Sequence, residues 1–225
     1  MSHHPSDITD FDAIIFDMDG LLLDTEKLSY ESFVTTAASY GQRFQFNDYR
    51  QLIGRNAKTG IDILRKMLPP TIDAAKFKND WLDIYRKLLD HHIEVKPGAH
   101  QLLAYLEKKQ IPRAVATSSS GGKARAILDR VGLWRYIPHL TGGDEVKAGK
   151  PAPDVYLDAA SKLGVDAPRC VAFEDSETGI EAALAAGMRV IQIPDLIAAE
   201  REPAPPAFNL ASSLSEGAAL LGIDL

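Results

Sequence analysis

Residues 13–20 read Ala-Ile-Ile-Phe-Asp-Met-Asp-Gly. The first four side chains are apolar and the run ends abruptly at a carboxylate, which is typical of a short buried strand. Three later segments have the same character, since each is brief, uncharged and flanked by polar or turn residues. They cover residues 114–116, 171–173 and 190–193. These four runs predict four buried strands of one sheet.

Apolar residues with helical periodicity lie between and after these runs, for example at Ala126, Ile127 and Val131 and again at Ile180, Ala183 and Leu184. Strands that alternate with helices predict the α/β class, with a Rossmann-like doubly wound parallel sheet. Residues 208–210 are a candidate edge strand, and residues 214–221 are a candidate closing helix.

One connection is too long for a single crossover, because the first strand ends near Asp17 and the second begins only near Arg113. The intervening residues 24–95 carry helical apolar stripes and almost no strand pattern. We therefore expect an all-helical cap domain at 24–95, inserted into an α/β core domain made of residues 1–23 and 96–225. The turn pair Pro97-Gly98 returns the chain to the core.

The composition limits the classes of binding partner and the cellular compartment that we expect. The 225 residues include 25 basic and 31 acidic side chains, so the net charge is -6. An acidic chain gets no general electrostatic help in binding nucleic acids or anionic membranes, whose affinity rests on clustered Lys and Arg. The chain shows no apolar run of membrane-spanning length, no signal peptide at residues 1–10, and a single cysteine, Cys170. We expect a cytoplasmic protein, a monomer or a weak dimer, with no nucleic-acid or membrane partner.

Polar residues follow three of the predicted strands. Asp17-Met18-Asp19-Gly20 follows the first, Thr117-Ser118-Ser119 the second, and Glu174-Asp175 the third. Ligands of an open parallel sheet bind at the carboxyl ends of the strands, so these side chains are expected to share one crevice. An Asp-x-Asp pair alone is uninformative; its position directly after a buried strand gives it weight.

A cluster of carboxylates in one crevice predicts a bound cation. Two like charges about 4 Å apart repel by roughly 4 kcal/mol at an effective dielectric constant near 20. Oxygen donors without histidine or cysteine select a hard divalent ion, and Mg²⁺ fits best because it binds one or two carboxylates together with a substrate phosphate. We therefore expect Mg²⁺ as the cofactor.

A metal opposite a phosphate makes Asp17 the candidate nucleophile, ionised at neutral pH and attacking phosphorus in line. Asp19, two residues on, points the same way if the strand geometry persists. It is placed to protonate the leaving oxygen and then to activate water. Gly20 permits a close turn behind the pair.

Thr117 and Lys150 are the candidate phosphate ligands. Thr117 offers a hydroxyl, and backbone N–H groups of a helix starting near Gly121 can add to it. Lys150 lies where Pro151 stiffens the backbone, and its charge can balance the nucleophile and the phosphate. Ser118 and Ser119 are candidate substrate-binding residues, although Ser118 and Ser120 suit a helix N-cap equally well.

The chain resembles the haloacid dehalogenase superfamily, in the branch of phosphatases with a helical cap after the first strand. Four signatures carry the resemblance in order and spacing: Asp-Met-Asp-Gly (17–20), Thr117, Lys150 within Gly-Lys-Pro-Ala-Pro-Asp, and Glu-Asp-Ser-Glu-Thr-Gly-Ile (174–180). Residues 16–26 and 181–188 are also similar to segments of sugar-phosphate and pseudouridine-5'-phosphatases, but these core and loop segments identify no substrate.

The resemblance implies a nucleophilic Asp17, an acid/base Asp19, and Mg²⁺ held by the Asp17 carboxylate, the Asp19 carbonyl and Asp175, with Glu174 in support. Dehalogenases of this superfamily lack the second aspartate and the metal, so Asp19 argues against that activity.

Ser29 and the segment 54–56 bear on the type of reaction and on the substrate contacts that the resemblance implies. The β-phosphoglucomutases of this branch carry a histidine in the first cap helix where this chain has Ser29, which favours hydrolysis over phosphoryl return. In the cap, Gly54-Arg55-Asn56 resembles the loop that faces the catalytic aspartate, so Arg55 and Asn56 are candidate substrate contacts.

The predicted function is thus a Mg²⁺-dependent phosphomonoester hydrolase of a small phosphorylated metabolite, of the sugar-phosphate or nucleoside monophosphate type, acting through an aspartyl phosphate. The alternative is a β-phosphoglucomutase-type phosphosugar mutase. A more remote alternative is a non-enzymatic phospho-accepting switch on a similar sheet, against which Asp19 and the large cap argue.

Overall fold

The computed structural model describes residues 8–53, 57–91, 93–197, 199, 202–204 and 207–225, with the side chains of residues 57 and 58 excepted. Its centre is a parallel sheet made of the strands β1 (Ala13–Phe16), β2 (Arg113–Ala116), β3 (His139–Thr141), β4 (Cys170–Glu174), β5 (Arg189–Gln192) and β6 (Phe208–Leu210). Their order across the sheet is β3-β2-β1-β4-β5-β6. The predicted doubly wound α/β fold is confirmed.

The four predicted buried strands are present within about one residue of their expected bounds, and the candidate edge strand is β6. Strands β1, β2, β4 and β5 are buried along their whole length, and their inner residues are apolar. Strand β3 was not predicted from the sequence. Its three residues, His-Leu-Thr, form a short edge strand that is only partly buried, so they lack the apolar signal of a central strand.

The strand register brings the polar residues of three strand ends to one edge of the sheet. Phe16 pairs with Val115 on one side and with Phe173 on the other. The residues that follow, Asp17 and Glu174 among them, therefore emerge side by side at the carboxyl edge. The order of the strands reverses between β1 and β4, which is where ligands of doubly wound sheets bind.

The chain divides into two compact units, one formed by Asp24–Glu94 and the other by the segments up to Leu23 and from Val95 onward. The first unit contains α1 (Thr25–Ser39), α2 (Phe46–Tyr49), α3 (Ala57–Met67) and α4 (Ala74–His91). Helices α1 and α4 pack together through aromatic rings: Phe33 of α1 is buried against Phe77 and Trp81 of α4, with centroid separations of 5.9 and 5.3 Å. This unit thus has an aromatic core of its own.

The other unit carries the helices that flank the sheet. They are α5 (Ala99–Lys108), α6 (Gly121–Arg130), α7 (Asp154–Leu163), α8 (Glu177–Ala185) and α9 (Leu214–Leu220). Helices α7 and α8 bury apolar faces against the sheet in one core cluster, in which Tyr156 and Ile180 are fully buried. Within the described residues, none of the helices combines the length and apolar character needed to cross a bilayer.

Candidate active site

Three charged side chains meet at the carboxyl edge of the sheet. The Lys150 ammonium lies 2.5 Å from Asp17 Oδ1 and 2.6 Å from Glu174 Oε1. All three side chains are withdrawn from solvent, with exposures of 5% for Lys150, 8% for Asp17 and 0% for Glu174. The backbone fixes Asp17 as well, because its N–H donates to Phe173 O at 3.0 Å, which extends the pairing of β1 with β4 by one bond.

The charges of this group do not balance. Burial raises the pKa of Asp17 to about 8; Lys150 opposes this, while the neighbouring Glu174 and Asp19 add to it. Burial also disfavours the charged form of Lys150, but Asp17 and Glu174 outweigh it and raise the pKa of the ammonium. One buried ammonium thus serves two buried carboxylates, and this shortage of positive charge opposes the ionised form of Asp17 in the chain alone.

Glu174 is the most heavily hydrogen-bonded side chain of the group. Its Oε1 accepts from Lys150 and from the Tyr156 hydroxyl at 2.7 Å. Its Oε2 accepts from the backbone N–H of Asp175 and from the N–H and hydroxyl of Ser176, at 3.0 to 3.1 Å. Burial opposes ionisation, yet Lys150 and these donors lower the pKa of Glu174 below its ordinary value. Glu174 thus anchors both Lys150 and the loop that carries Asp175.

Asp19 faces hydroxyl groups. Its Oδ2 accepts from Ser119 Oγ at 2.9 Å and from Thr117 Oγ1 at 3.3 Å. Thr117 is fully buried, and its hydroxyl also accepts the Ser119 N–H at 3.0 Å. The structure therefore brings Asp19, Thr117 and Ser119 together at the ends of β1 and β2, as the sequence reading expected of a shared crevice.

The N-terminus of α6 does not offer the Gly121 N–H to a phosphate, as the sequence analysis had expected it to. The Gly121 N–H donates to Asp144 Oδ1 at 2.8 Å, so this helix donor is already satisfied by a protein carboxylate and is not free for a phosphate. Ser120 occupies the N-cap position without a side-chain cap bond. Ser118 is exposed beside them.

The residues present fit a divalent cation. Carboxylate oxygens of Asp17, Glu174 and Asp175 lie within 4.8 Å of one another. This all-oxygen donor set suits a hard ion. Since both Glu174 oxygens are engaged in the bonds above, Asp17 and Asp175 are the better-placed donors.

Gly20 and Gln192 shape the position of Asp175. Gly20 has a φ of +84°, and a Cβ at this position would collide with the Asp175 carboxylate, so glycine allows the close approach. The Gln192 Nε2 amide donates to the Asp175 carbonyl at 3.2 Å.

Sequence reasoning missed Gln192 and Tyr156. Gln192 gave a usable signal, since it is a polar residue at the end of a buried strand. Tyr156 gave none, because it fits the apolar stripe of α7. Arg55 and Asn56, the candidate substrate contacts of the inserted segment, lie outside the described residues.

Comparisons with known proteins agree with this geometry. The sequence model of the haloacid dehalogenase-like hydrolases matches residues 14–193. The chain is 33% identical to a phosphorylated carbohydrates phosphatase of Thermotoga maritima, over 93% of this chain and 90% of the relative. It is 30% identical to the fructose-1-phosphate phosphatase YqaB of Escherichia coli, over 80% of this chain and 95% of the relative.

Among solved structures, CbbY of Rhodobacter sphaeroides in complex with phosphate is similar with a TM-score of 0.74 and 30% identity, covering 95% of this chain and all of that one (100%). The match of the sequence model spans most of the chain and includes Asp17, Asp19, Thr117, Lys150 and Asp175. The chain therefore belongs to the haloacid dehalogenase-like hydrolase family.

Proposed function

We propose that this protein is a phosphomonoester hydrolase that acts on a small phosphorylated metabolite through an aspartyl-phosphate intermediate. The observation that carries the proposal is the contact of the buried Lys150 ammonium with Asp17, next to the carboxylate of Asp175. A nucleophile beside a fixed cation and a candidate metal site is what attack on a phosphate dianion requires, because negative charge must be offset at the reacting centre.

The reaction has two steps. In the first, an Asp17 carboxylate oxygen bonds to phosphorus while the bond from phosphorus to the substrate oxygen breaks, and Asp19 gives a proton to that oxygen. In the second, Asp19 takes a proton from water, the water oxygen bonds to phosphorus, and the bond from phosphorus to Asp17 breaks. The products are an alcohol and inorganic phosphate, and Asp17 and Asp19 return to their starting states.

The other residues hold the phosphoryl group and its charge. Thr117 and Ser119 place hydroxyl groups next to the Asp19 carboxylate, where they can donate to phosphoryl oxygens. Lys150 contributes its charge to Asp17 and to the phosphate together. Asp17, Asp175 and the Asp19 carbonyl would hold Mg²⁺, which supplies positive charge opposite the phosphoryl oxygens when bound.

The relatives support a metabolite substrate. One is a phosphatase of phosphorylated carbohydrates and the other a phosphatase of fructose 1-phosphate. We propose a sugar phosphate or a nucleoside monophosphate as the substrate class, and the cytoplasm as the location, with which the buried free thiol of Cys170 is compatible. That Arg55 and Asn56 contact this substrate, and that the protein is a monomer or a weak dimer, stay predictions.

Phosphoryl return in a mutase is the alternative, and Ser29 argues against it. A histidine is expected there in mutases of this branch, whereas here Ser29 is a residue of α1 whose carbonyl accepts the Trp81 indole N–H at 3.1 Å. The position thus carries no group that exchanges protons near neutral pH.

A screen of phosphorylated metabolites and p-nitrophenyl phosphate with Mg²⁺ tests the proposal. We expect free phosphate from the wild-type protein, and none from Asp17→Asn, which keeps the side-chain shape but removes the nucleophile. Isomerised product without free phosphate would favour the mutase. An aspartyl phosphate that persists for minutes would favour the phospho-accepting switch.

A further inference from the structure

Tyr156 is a fully buried side chain beneath the candidate active site, with no part in the two steps above. It lies in the first turn of α7, six residues after Lys150. Its hydroxyl donates to Glu174 Oε1 at 2.7 Å, and the Lys150 ammonium lies 4.9 Å from the centre of its ring. One side chain thus contacts both the carboxylate and the ammonium that meet at Asp17.

The hydroxyl is not needed for packing. A phenylalanine would fill the same space in the core cluster, whereas a buried hydroxyl must find a partner. Its partner is the same oxygen that accepts from Lys150, so the phenol and the ammonium share Glu174 Oε1. The phenol restricts where the ammonium can bind on this oxygen, and the remaining position is one from which the ammonium also reaches Asp17 Oδ1 at 2.5 Å.

The ring limits the ammonium from another side. A lysine ammonium is attracted to the face of an aromatic ring at this distance, and the attraction is stronger where water is excluded. Lys150 is therefore held by the carboxylates of Asp17 and Glu174 and by the ring of Tyr156. Tyr156 supplies the ring and donates to Glu174, so it fixes two of these three contacts.

We infer that Tyr156 is a positioning residue, which holds Glu174 and Lys150 so that the ammonium stays on Asp17 during turnover. This inference rests on the proposed function of the site. Without the hydroxyl, Glu174 Oε1 keeps only Lys150 as a partner, and the ammonium follows the fully buried Glu174 at the expense of Asp17. The chemical step suffers more than substrate binding, because Thr117 and Ser119 still bind the phosphate when the ammonium moves away from Asp17.

The test compares Tyr156→Phe with the wild-type protein on p-nitrophenyl phosphate with Mg²⁺. We expect kcat to fall by about tenfold or more, the usual scale for removing a partner that orients a reacting group. KM and the inhibition constant of inorganic phosphate should change less than kcat does, because Thr117 and Ser119 also bind the phosphate. Replacement by 4-aminophenylalanine, which keeps a donor at the same place, should restore most of the lost kcat.

Tyr40→Phe is the matched control. It also removes a tyrosine hydroxyl from a carboxylate, that of Asp80 at 2.5 Å, but both residues belong to the other compact unit. We expect it to leave kcat unchanged. If Tyr156→Phe is too unstable to assay, 4-aminophenylalanine and 4-methylphenylalanine at position 156 replace the comparison, since they differ in the donor and have similar size.

Three outcomes would overturn the inference. The first is a folded Tyr156→Phe with wild-type kcat. The second is a loss of kcat that the donor-bearing replacement does not repair. The third is a wild-type protein that hydrolyses no phosphomonoester, which would contradict the proposed function and the inference together. An active wild-type protein with an equally active Tyr156→Phe contradicts the inference alone.

Discussion

Lys150 Nζ and Asp17 Oδ1 are 2.5 Å apart although 133 residues separate them in the chain. The contact exists because β1 ends at the carboxyl edge of the sheet and the segment before α7 crosses the same edge. Both side chains are nearly inaccessible to solvent. Stability and chemistry therefore depend on the same pair, and the two can be separated by choosing which partner is removed.

Removal of the ammonium should destabilise the protein. Lys150→Met leaves Asp17 and Glu174 buried without their shared cation, and losing one partner of a buried pair costs about 3 to 5 kcal/mol. We expect a decrease of that size in the free energy of unfolding at pH 7, measured by urea titration without Mg²⁺.

Lys162→Met is the control for this prediction. Lys162 also serves two carboxylates, those of Glu145 and Asp158, but its side chain is 30% exposed. Its removal should cost about 1 kcal/mol or less, because water screens such pairs. Equal losses in the two variants would show that burial of the Lys150 group does not determine its contribution.

Asp19→Asn should separate the two chemical steps. Nitrophenolate leaves without help from an acid, so Asp17 can still be phosphorylated by p-nitrophenyl phosphate. The second step lacks its base and should slow by at least about 100-fold. A stopped-flow trace should show one equivalent of nitrophenolate released rapidly, followed by slow turnover. Asp17→Asn should show no burst, and a burst in that variant would exclude Asp17 as the nucleophile.

The sequence predicted the sheet and much of the site because both depend on local patterns. A short apolar run that ends in a carboxylate marks the end of a buried strand, and parallel strands bring their carboxyl ends together. Asp17, Thr117 and Glu174 could therefore be grouped from the sequence alone. The edge strand β3 could not be predicted, since a partly buried strand of three residues does not select for apolar side chains.

The partners within the site were harder to predict, because they depend on tertiary packing. The sequence does not indicate that Asp144 accepts a hydrogen bond from the Gly121 N–H, or that the Tyr156 hydroxyl donates to Glu174. The raised pKa of Asp17 could not be predicted for the same reason, because residue type alone gives no sign of its burial beside Glu174.

Asp158 should make the stability of the core unit depend on pH. Its Oδ2 accepts from Thr141 Oγ1 at 2.8 Å and lies 2.9 Å from the ammonium of Lys162, which Glu145 shares. Burial raises the pKa of Asp158, but the bonds from Lys162 and Thr141 outweigh it, so the folded pKa lies below its ordinary value. A lowered carboxyl pKa stabilises the fold above the unfolded pKa, and this contribution is lost as the pH falls through the folded pKa.

We therefore expect Asp158→Asn to be less stable than the wild-type protein at pH 7, by about 1 kcal/mol or less for a pair at this exposure. The difference should narrow below about pH 4. Urea titrations from pH 7 to pH 2.5 measure it, with Asp129→Asn, an exposed position on α6, as the reference. A difference that stays constant over this range would contradict the assignment.

Gly20 provides a test of the metal site that does not depend on turnover. Gly20 and Gly41 both have positive φ, +84° and +67°, so alanine is strained at either position, by about 1 to 2 kcal/mol. They differ in the space available: a Cβ at Gly41 meets nothing within 4 Å, whereas a Cβ at Gly20 collides with the Asp175 carboxylate.

Gly41→Ala should therefore lower Tm but keep the rise in Tm that Mg²⁺ produces in the wild-type protein. Gly20→Ala should lower Tm further and lose most of that rise, because Asp175 is displaced from Asp17. If Mg²⁺ raises the Tm of both variants equally, Asp175 does not hold the ion.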